Sequence, residues 1–223
     1  MKAVLEIACF SIPSLLIARD AGADRIEFCR DYSAGGLSPS QEDILLARSL
    51  LDIPLHVIIR PHANGFTYNE NEFTRMLDEI QFCKHAGVDG VVFGTLTSEK
   101  EIDRKQTEKL IHAAGPMTCC FHRAIDACDR PLDAIQHLKD CGIRYVLSSG
   151  TKGTALEGLD TLRAMNDLGG KELQVMPGGG IRSSTLPQFL NLGFSAFHSA
   201  AITMQNGEAD ASEIKNLKDV LNP

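Results

Sequence analysis

The sequence predicts an α/β fold, a single-domain (β/α)8 barrel of the TIM type covering residues 1–223. Three observations carry this expectation. A short apolar run, a Gly/Ser/Pro-rich turn and an amphipathic stretch recur in that order about eight times, and strict alternation of strand and helix implies a parallel sheet. The 223 residues fall a little short of the roughly 250 usual for such a barrel, as short loops allow. No linker or shift of composition divides the chain, so one domain is expected. An open doubly wound sheet is the alternative, because periodicity does not show closure.

The strands are read in AVLEIACF, RIEFC, PLHVIIRP, GVVFG, TCCFHRA, YVLSSG, LQVMPGGG and AFHSAA. The helical stretches between them are SIPSLLIARDAG, SQEDILLARSLLD, ENEFTRMLDEIQFCKHAG, RKQTEKLIHAAG, RPLDAIQHLKDCG, ALEGLDTLRAMNDLGG and STLPQFLNLG, and ASEIKNLKDVL comes last. Their apolar residues recur three and four apart, the spacing of one helix face. AGGLSPS reads as a mouth loop leading to a helix cap at Ser38 or Ser40, where a hydroxyl can accept a backbone N–H.

Composition narrows the function. The chain is 43% hydrophobic and 23% charged with a formal net charge of −7, and no basic run or aromatic–basic interleaving offers a nucleic-acid surface. No apolar stretch reaches membrane-spanning length, and no small-residue cleavage site follows the first apolar run, so the cytoplasm is expected. Seven cysteines, an odd number without CxxC spacing, read as reduced thiols. The expected partners are small molecules, metal ions or other proteins.

In a barrel, active sites form at the carboxyl ends of the strands. Those ends carry Glu6, Cys9, Glu27, Cys29, His56, Arg60, His122, Arg123, Asp126, Ser148, Ser149, Gly178 to Gly180, His198 and Ser199. Barrel strands are buried on both faces, so an ionisable group within one is either paired or turned to the lumen mouth. A functional reading gathers Glu6, Glu27, Arg60, His122 and His198 around one mouth. There, two carboxylates and an imidazole supply acid and base, and the arginine holds a carboxylate or phosphate. The competing reading is a structural ion network, for instance Glu27 with Arg60. Gly178, Gly179 and Gly180, after the seventh strand, suit an anion on exposed backbone N–H groups, or else simply make a tight turn.

The thiols divide by position. Cys83 and Cys141 lie on helices and read as small buried hydrophobes. Cys119 and Cys120 are adjacent in a strand and point to opposite faces, so they are not a chelating pair. Cys9, Cys29 and Cys128 stand at or beyond strand ends, where soft Cu(I) could find thiolate and imidazole ligands.

The ordered set EIACFS, AGADRIEFC, SAGGLSPS, IPLHVIIRP, GVDGVVFGTLT, FHRAID, SSG with ALEGL, PGGG and AFHSAA resembles the copper homeostasis protein CutC family over nearly the whole chain. The resemblance implies a cytoplasmic, often homo-oligomeric (β/α)8 barrel linked to copper tolerance and to Cu(I) binding through cysteines. One family thiol falls on Cys29. The other falls on Ala8, with Cys9 one place later, and a one-residue shift turns a strand side chain to the other face. In RPHANGFTYN, His62 stands where the family has an arginine, and an aspartate is absent. Glu6, Glu27, Arg60, His122, Arg123, Asp126 and His198 all match. Two functions follow as expectations: copper homeostasis with Cu(I) on Cys29 and Cys9, or an enzyme of unassigned reaction on a small anionic or phosphorylated metabolite. In the second, Glu6, Glu27, Arg60, His122, Asp126 and His198 form the catalytic mouth and Gly178 to Gly180 the anion site.

Overall fold

The computed structural model describes residues 3–204 and 207–222. Eight parallel strands follow one another in the order β7-β6-β5-β4-β3-β2-β1-β8. They are β1 (Val4–Cys9), β2 (Arg25–Phe28), β3 (Leu55–Ile58), β4 (Gly90–Phe93), β5 (Thr118–Phe121), β6 (Tyr145–Ser148), β7 (Gln174–Pro177) and β8 (Ala196–Ser199). β7 and β8 pack side by side, so the sheet is a nearly closed barrel rather than an open doubly wound one.

Seven α-helices are present among the described residues: α1 (Ile12–Asp20), α2 (Gln41–Leu50), α3 (Glu70–His85), α4 (Arg104–Ala114), α5 (Pro131–Asp140), α6 (Leu159–Gly169) and α7 (Ala211–Leu221). Their starts follow local chemistry. Ser40 caps α2 by accepting the Asp43 N–H, and Asn69 with Glu72 forms a reciprocal capping box on α3. Ser38 takes a different part: its Oγ donates to Glu79 and accepts the Arg60 N–H, tying the loop after β2 to the end of β3.

The expected helix in STLPQFLNLG is reduced to a 3-10 turn at Leu186–Phe189. Asn191 is left-handed at φ +63° and Gly193 at +84°, and neither conformation continues a helix. A second 3-10 turn, Arg123–Ala127, follows β5 with His122 as its cap.

Strand alternation separates two apolar layers. Leu5, Ile7, Cys9, Ile26, Phe28, Val57 and Cys119 join the core between strands and helices. Cys29, Ile58, Val92, Cys120, Leu147, Met176 and Ala196 fill the lumen. Each fully buried Leu, Ile or Phe in these layers contributes about 1.5–3 kcal/mol of transfer free energy. Cys119 and Cys120 lie in opposite layers, as their adjacency requires. Cys83 is buried, whereas Cys141 is half-buried at the end of α5.

Candidate functional site

The lumen floor is polar. Strand register sets Arg25 of β2 and His198 of β8 on either side of Glu6 of β1. Arg25 Nε donates to Glu6 Oε2 at 2.5 Å, and His198 Nδ1 donates to Glu6 Oε1 at 2.8 Å. Burial by itself would raise the Glu6 pKa, but Arg25, His198 and His56 together hold its carboxyl well below the usual carboxylate range. His56 Nδ1 stops 3.6 Å from Glu6 Oε2, beyond hydrogen-bond reach, and has no hydrogen-bond partner among the described residues. Burial lowers its ring pKa to about 4. The ring fits because residue 90 is glycine: a Cβ there would lie 2.5 Å from His56 Cδ2.

One step nearer the mouth, His198 Nε2 faces Glu27 Oε2 at 3.7 Å, and the Cys29 thiol donates to the same oxygen at 3.4 Å. Burial, the largest influence, raises the Glu27 pKa. Burial opposes a charged His198, but Glu27 and Glu6 outweigh it and raise that pKa too. Both groups of this contact therefore keep protons to higher pH than usual. Glu27 Oε1 is buried without a hydrogen-bond partner among the described residues.

Above this floor lies a cavity of about 370 Å³ at the carboxyl ends of the strands, lined by Glu27, Cys29, Arg60, His122, Arg123, Gly179, Gly180, Arg182 and His198 among others. Arg60 is anchored through Nη1 to the Ala34 and Gly36 carbonyls at 2.9 and 3.0 Å, and its Nε has no hydrogen-bond partner of good geometry among the described residues. Arg123 donates through Nε to Asp126 and through Nη2 to Ser149 Oγ. Arg182 is held by Ser199 Oγ and the Ile202 carbonyl. Gly179 and Gly180 have φ of +91° and +84°, and among the described residues no acceptor takes their N–H groups. Gly178 lies just below them, its N–H donating to the Ser148 carbonyl.

The structure thus brings Glu27, Arg60, His122 and His198 to one cavity, with Glu6 beneath it. Asp126 instead holds neighbouring loops together: it accepts from Ser148 Oγ, from the Ser149 and Thr151 N–H groups and from Arg123 Nε. No ion pair joins Glu27 to Arg60 among the described residues; the network is Arg25–Glu6–His198. Cys9 does not join Cys29, because Cys9 packs in the helix-facing layer and Cys29 in the lumen. Burial and nearby Glu27 push both thiols up, keeping them protonated.

Arg25 and Arg182 are the functional-layer residues that sequence reasoning passes over. Arg25 had a signal, since alternation in RIEFC places it on the face of Glu27 and Cys29. Arg182 had only its position next to the glycine run.

Residues 3–203 match the CutC family model. The CutC family protein of Salmonella paratyphi B is 40% identical over 199 residues, covering 89% of this chain and 80% of that protein. The crystal structure of CutC from Streptococcus agalactiae, named for copper homeostasis, superposes with a TM-score of 0.84 at 25% identity, covering 89% of this chain and 98% of that one. A KGPDC structure from Streptococcus mutans superposes at 0.68 with 16% identity, covering 99% and 98%, a likeness of fold alone. With the family model spanning almost the entire barrel and a relative 40% identical over 89% of the chain, the chain belongs to the CutC family.

Proposed function

We propose that the protein is an enzyme acting on a small anionic metabolite at the barrel mouth. One observation carries this reading: in a chain of net charge −7, three arginines and a single carboxylate line the mouth cavity. Such a lining focuses positive potential and draws anions in. Gly179 and Gly180 add unpaired backbone N–H groups beside Arg123, a combination suited to a phosphate or carboxylate. Glu27 and His198 supply the proton-transfer pair. Glu6 fixes the His198 tautomer, because a carboxylate accepts and so keeps the Nδ1 proton on the ring.

Copper handling is the second reading, favoured by the copper homeostasis name of a relative and by Cys29 in the cavity wall. Glu6, Glu27 and His198 bring donor atoms within 4.8 Å of one another, but this is an oxygen and imidazole set. Cu(I) favours thiolates, whereas Cys29, the thiol that lines the cavity, is held protonated by burial and by Glu27. On this reading Cys29 holds copper as cargo, without a role in the chemistry at Glu27.

Seven unpaired cysteines support a reducing compartment, the cytoplasm, and a homo-oligomer is part of the reading, checked by light scattering. No helix among the described residues is long and apolar enough to cross a membrane.

Thermal shift tests the main reading, since a ligand bound only to the folded state raises Tm with its concentration. Phosphorylated and carboxylated metabolites, compared at matched ionic strength, are expected to stabilise the parent and to lose that effect in Arg60→Ala. No stabilisation by any anion in the set would sink it.

A further inference from the structure

The site contains three buried polar atoms whose missing partners describe a ligand. His122 Nδ1 accepts the backbone N–H of Ala124 at 3.2 Å. A backbone N–H can only donate, so Nδ1 carries the lone pair and the ring proton of the neutral imidazole sits on Nε2. Nε2 is buried and, among the described residues, unpartnered, on a residue that lines the cavity. Arg60 Nε–H, also buried, has no partner of good geometry among the described residues, with the Tyr68 hydroxyl beside the guanidinium. Both side chains pack on Phe66: the His122 ring centroid is 5.0 Å from that of Phe66, and Arg60 Cζ lies 5.0 Å from it. The third atom is Glu27 Oε1, an acceptor that comes from the β2 wall.

Two residues with N–H donors and one with a carboxylate oxygen, all lining the same cavity, are what a carbonyl compound with an acidic neighbouring C–H needs. Resting on the anion-binding reading above, we infer that the substrate is a small carbonyl compound bearing an anionic group, with His122 as a fixed neutral N–H donor to its carbonyl oxygen. Glu27 carboxylate removes a proton from the carbon next to the carbonyl. The C–H electron pair becomes the C=C bond of an enolate, and the carbonyl π pair moves to oxygen, where the His122 and Arg60 N–H groups receive the developing charge. Return of the proton from Glu27 closes the cycle.

The surroundings of His122 keep it neutral. Burial, with Arg60 beside it, lowers the ring pKa to about 3, against a smaller opposing effect of Asp126. A protonated ring would also set its Nδ1–H against the Ala124 N–H. His122 is therefore neither the general acid nor the general base of the site, in contrast to the role its residue type suggests.

Two experiments test this. Two-bond proton–nitrogen correlation spectra of protein labelled with nitrogen-15 histidine, assigned with His122→Gln, read the tautomer without any ligand. A proton on Nε2 that persists from about pH 5 to about pH 9, across the ordinary histidine range, is expected. A proton on Nδ1, or titration near 6.5, overturns the inference and leaves anion binding by the arginines standing.

The second experiment follows exchange of carbon-bound protons into deuterium oxide by proton NMR, with dihydroxyacetone phosphate and pyruvate as probes. Exchange of at least one probe above the solvent rate is expected, and which probe reacts separates a phosphate from a carboxylate anchor. Glu27→Gln should abolish it. His122→Phe should slow it about 10²–10³-fold, the usual loss for one oxyanion donor, and His122→Gln, which keeps an N–H, should slow it less. Exchange of neither probe, or exchange indifferent to His122→Phe, overturns the inference. Failure of every anion to stabilise the protein would instead defeat the underlying reading of the mouth.

Discussion

Glu6 of β1 and Arg25 of β2 form an ion pair sealed in the barrel lumen, 2.5 Å apart and with neither side chain more than 7% exposed. Arg25 also reaches the Met176 sulfur and stacks on Tyr145. Removing one partner strands a buried charge, so Arg25→Ala is expected to cost about 3–5 kcal/mol in denaturant unfolding. Arg25→Met combined with Glu6→Gln removes both charges and should recover most of that loss. A single mutant within about 1 kcal/mol of the parent, the worth of an exposed pair, would contradict a sealed network.

Asp126 is predicted to act on ligand binding through the loops it joins. It accepts hydrogen bonds from Ser148, Ser149, Thr151 and Arg123, and Ser149 lies against Gly179. Asp126→Ala leaves several donors unpaired, at about 1–3 kcal/mol for each that stays buried, and leaves Arg123 held by Ser149 Oγ alone. Unfolding should show the stability loss, and thermal shift should show weaker stabilisation by phosphorylated ligands. A stability loss with undiminished ligand stabilisation would detach Asp126 from the anion site.

The barrel is legible in the sequence because its signal is local and repeated, eight strands and their turns each marked within a few residues. The mouth is legible in outline for the same reason: alternation within RIEFC or AFHSAA tells which side chains share a face. What is not legible is partnership across the sequence. Nothing near Asp126 indicates Ser148 and Ser149, 22 and 23 residues away, and nothing in EIACF announces that Arg25 and His198 flank Glu6. The Cys9 question is the instructive middle case, since a one-residue shift already sets Cys9 on the other face from Ala8, and the lumen position of Cys29 follows the same rule.

Acid stability should carry the mark of the buried histidines. The folded His56 pKa is lowered to about 4 from 6.5. Between those values the unfolded chain binds more protons, so stability falls as pH drops from 6.5 toward 4, by up to about 1.4 kcal/mol per pH unit for one such group. Glu6, held low, adds its own loss only as pH falls below its unfolded value of 4.5, whereas the raised Glu27 works in the opposite sense. Comparing the parent with His56→Gln across this window isolates the His56 part, and the variant should show the shallower slope. Equal slopes would mean that His56 is charged in the folded protein.

Copper binding should separate the two mouth-proximal thiols. Cys9 packs toward the helices and Cys29 toward the lumen, so a two-thiolate site between them would require β1 to turn over. In a Cu(I) competition titration under strict reduction, Cys9→Ser is expected to bind as the parent does, with any loss confined to Cys29→Ser. Equal collapse in both single mutants would establish a shared site and return the balance to copper handling.

Gly94 gives the most selective handle on His122. A Cβ at residue 94 would lie 2.5 Å from His122 Nδ1, 2.6 Å from Cε1 and 2.8 Å from Ala124 Cβ, closer than carbon contacts tolerate. Gly94→Ala therefore displaces the imidazole and breaks the hydrogen bond from the Ala124 N–H that fixes its tautomer. Overpacking of this kind costs about 1–3 kcal/mol, small enough for the barrel to remain folded. Residue 94 does not line the cavity, so the arginine wall and the Gly179 turn are left in place. Proton exchange on the carbonyl probe should fall as it does in His122→Phe, while stabilisation by phosphate-bearing ligands persists. Parent-like exchange in Gly94→Ala would show that the His122 orientation is dispensable, because the substitution disturbs that orientation before it reaches any other group of the site.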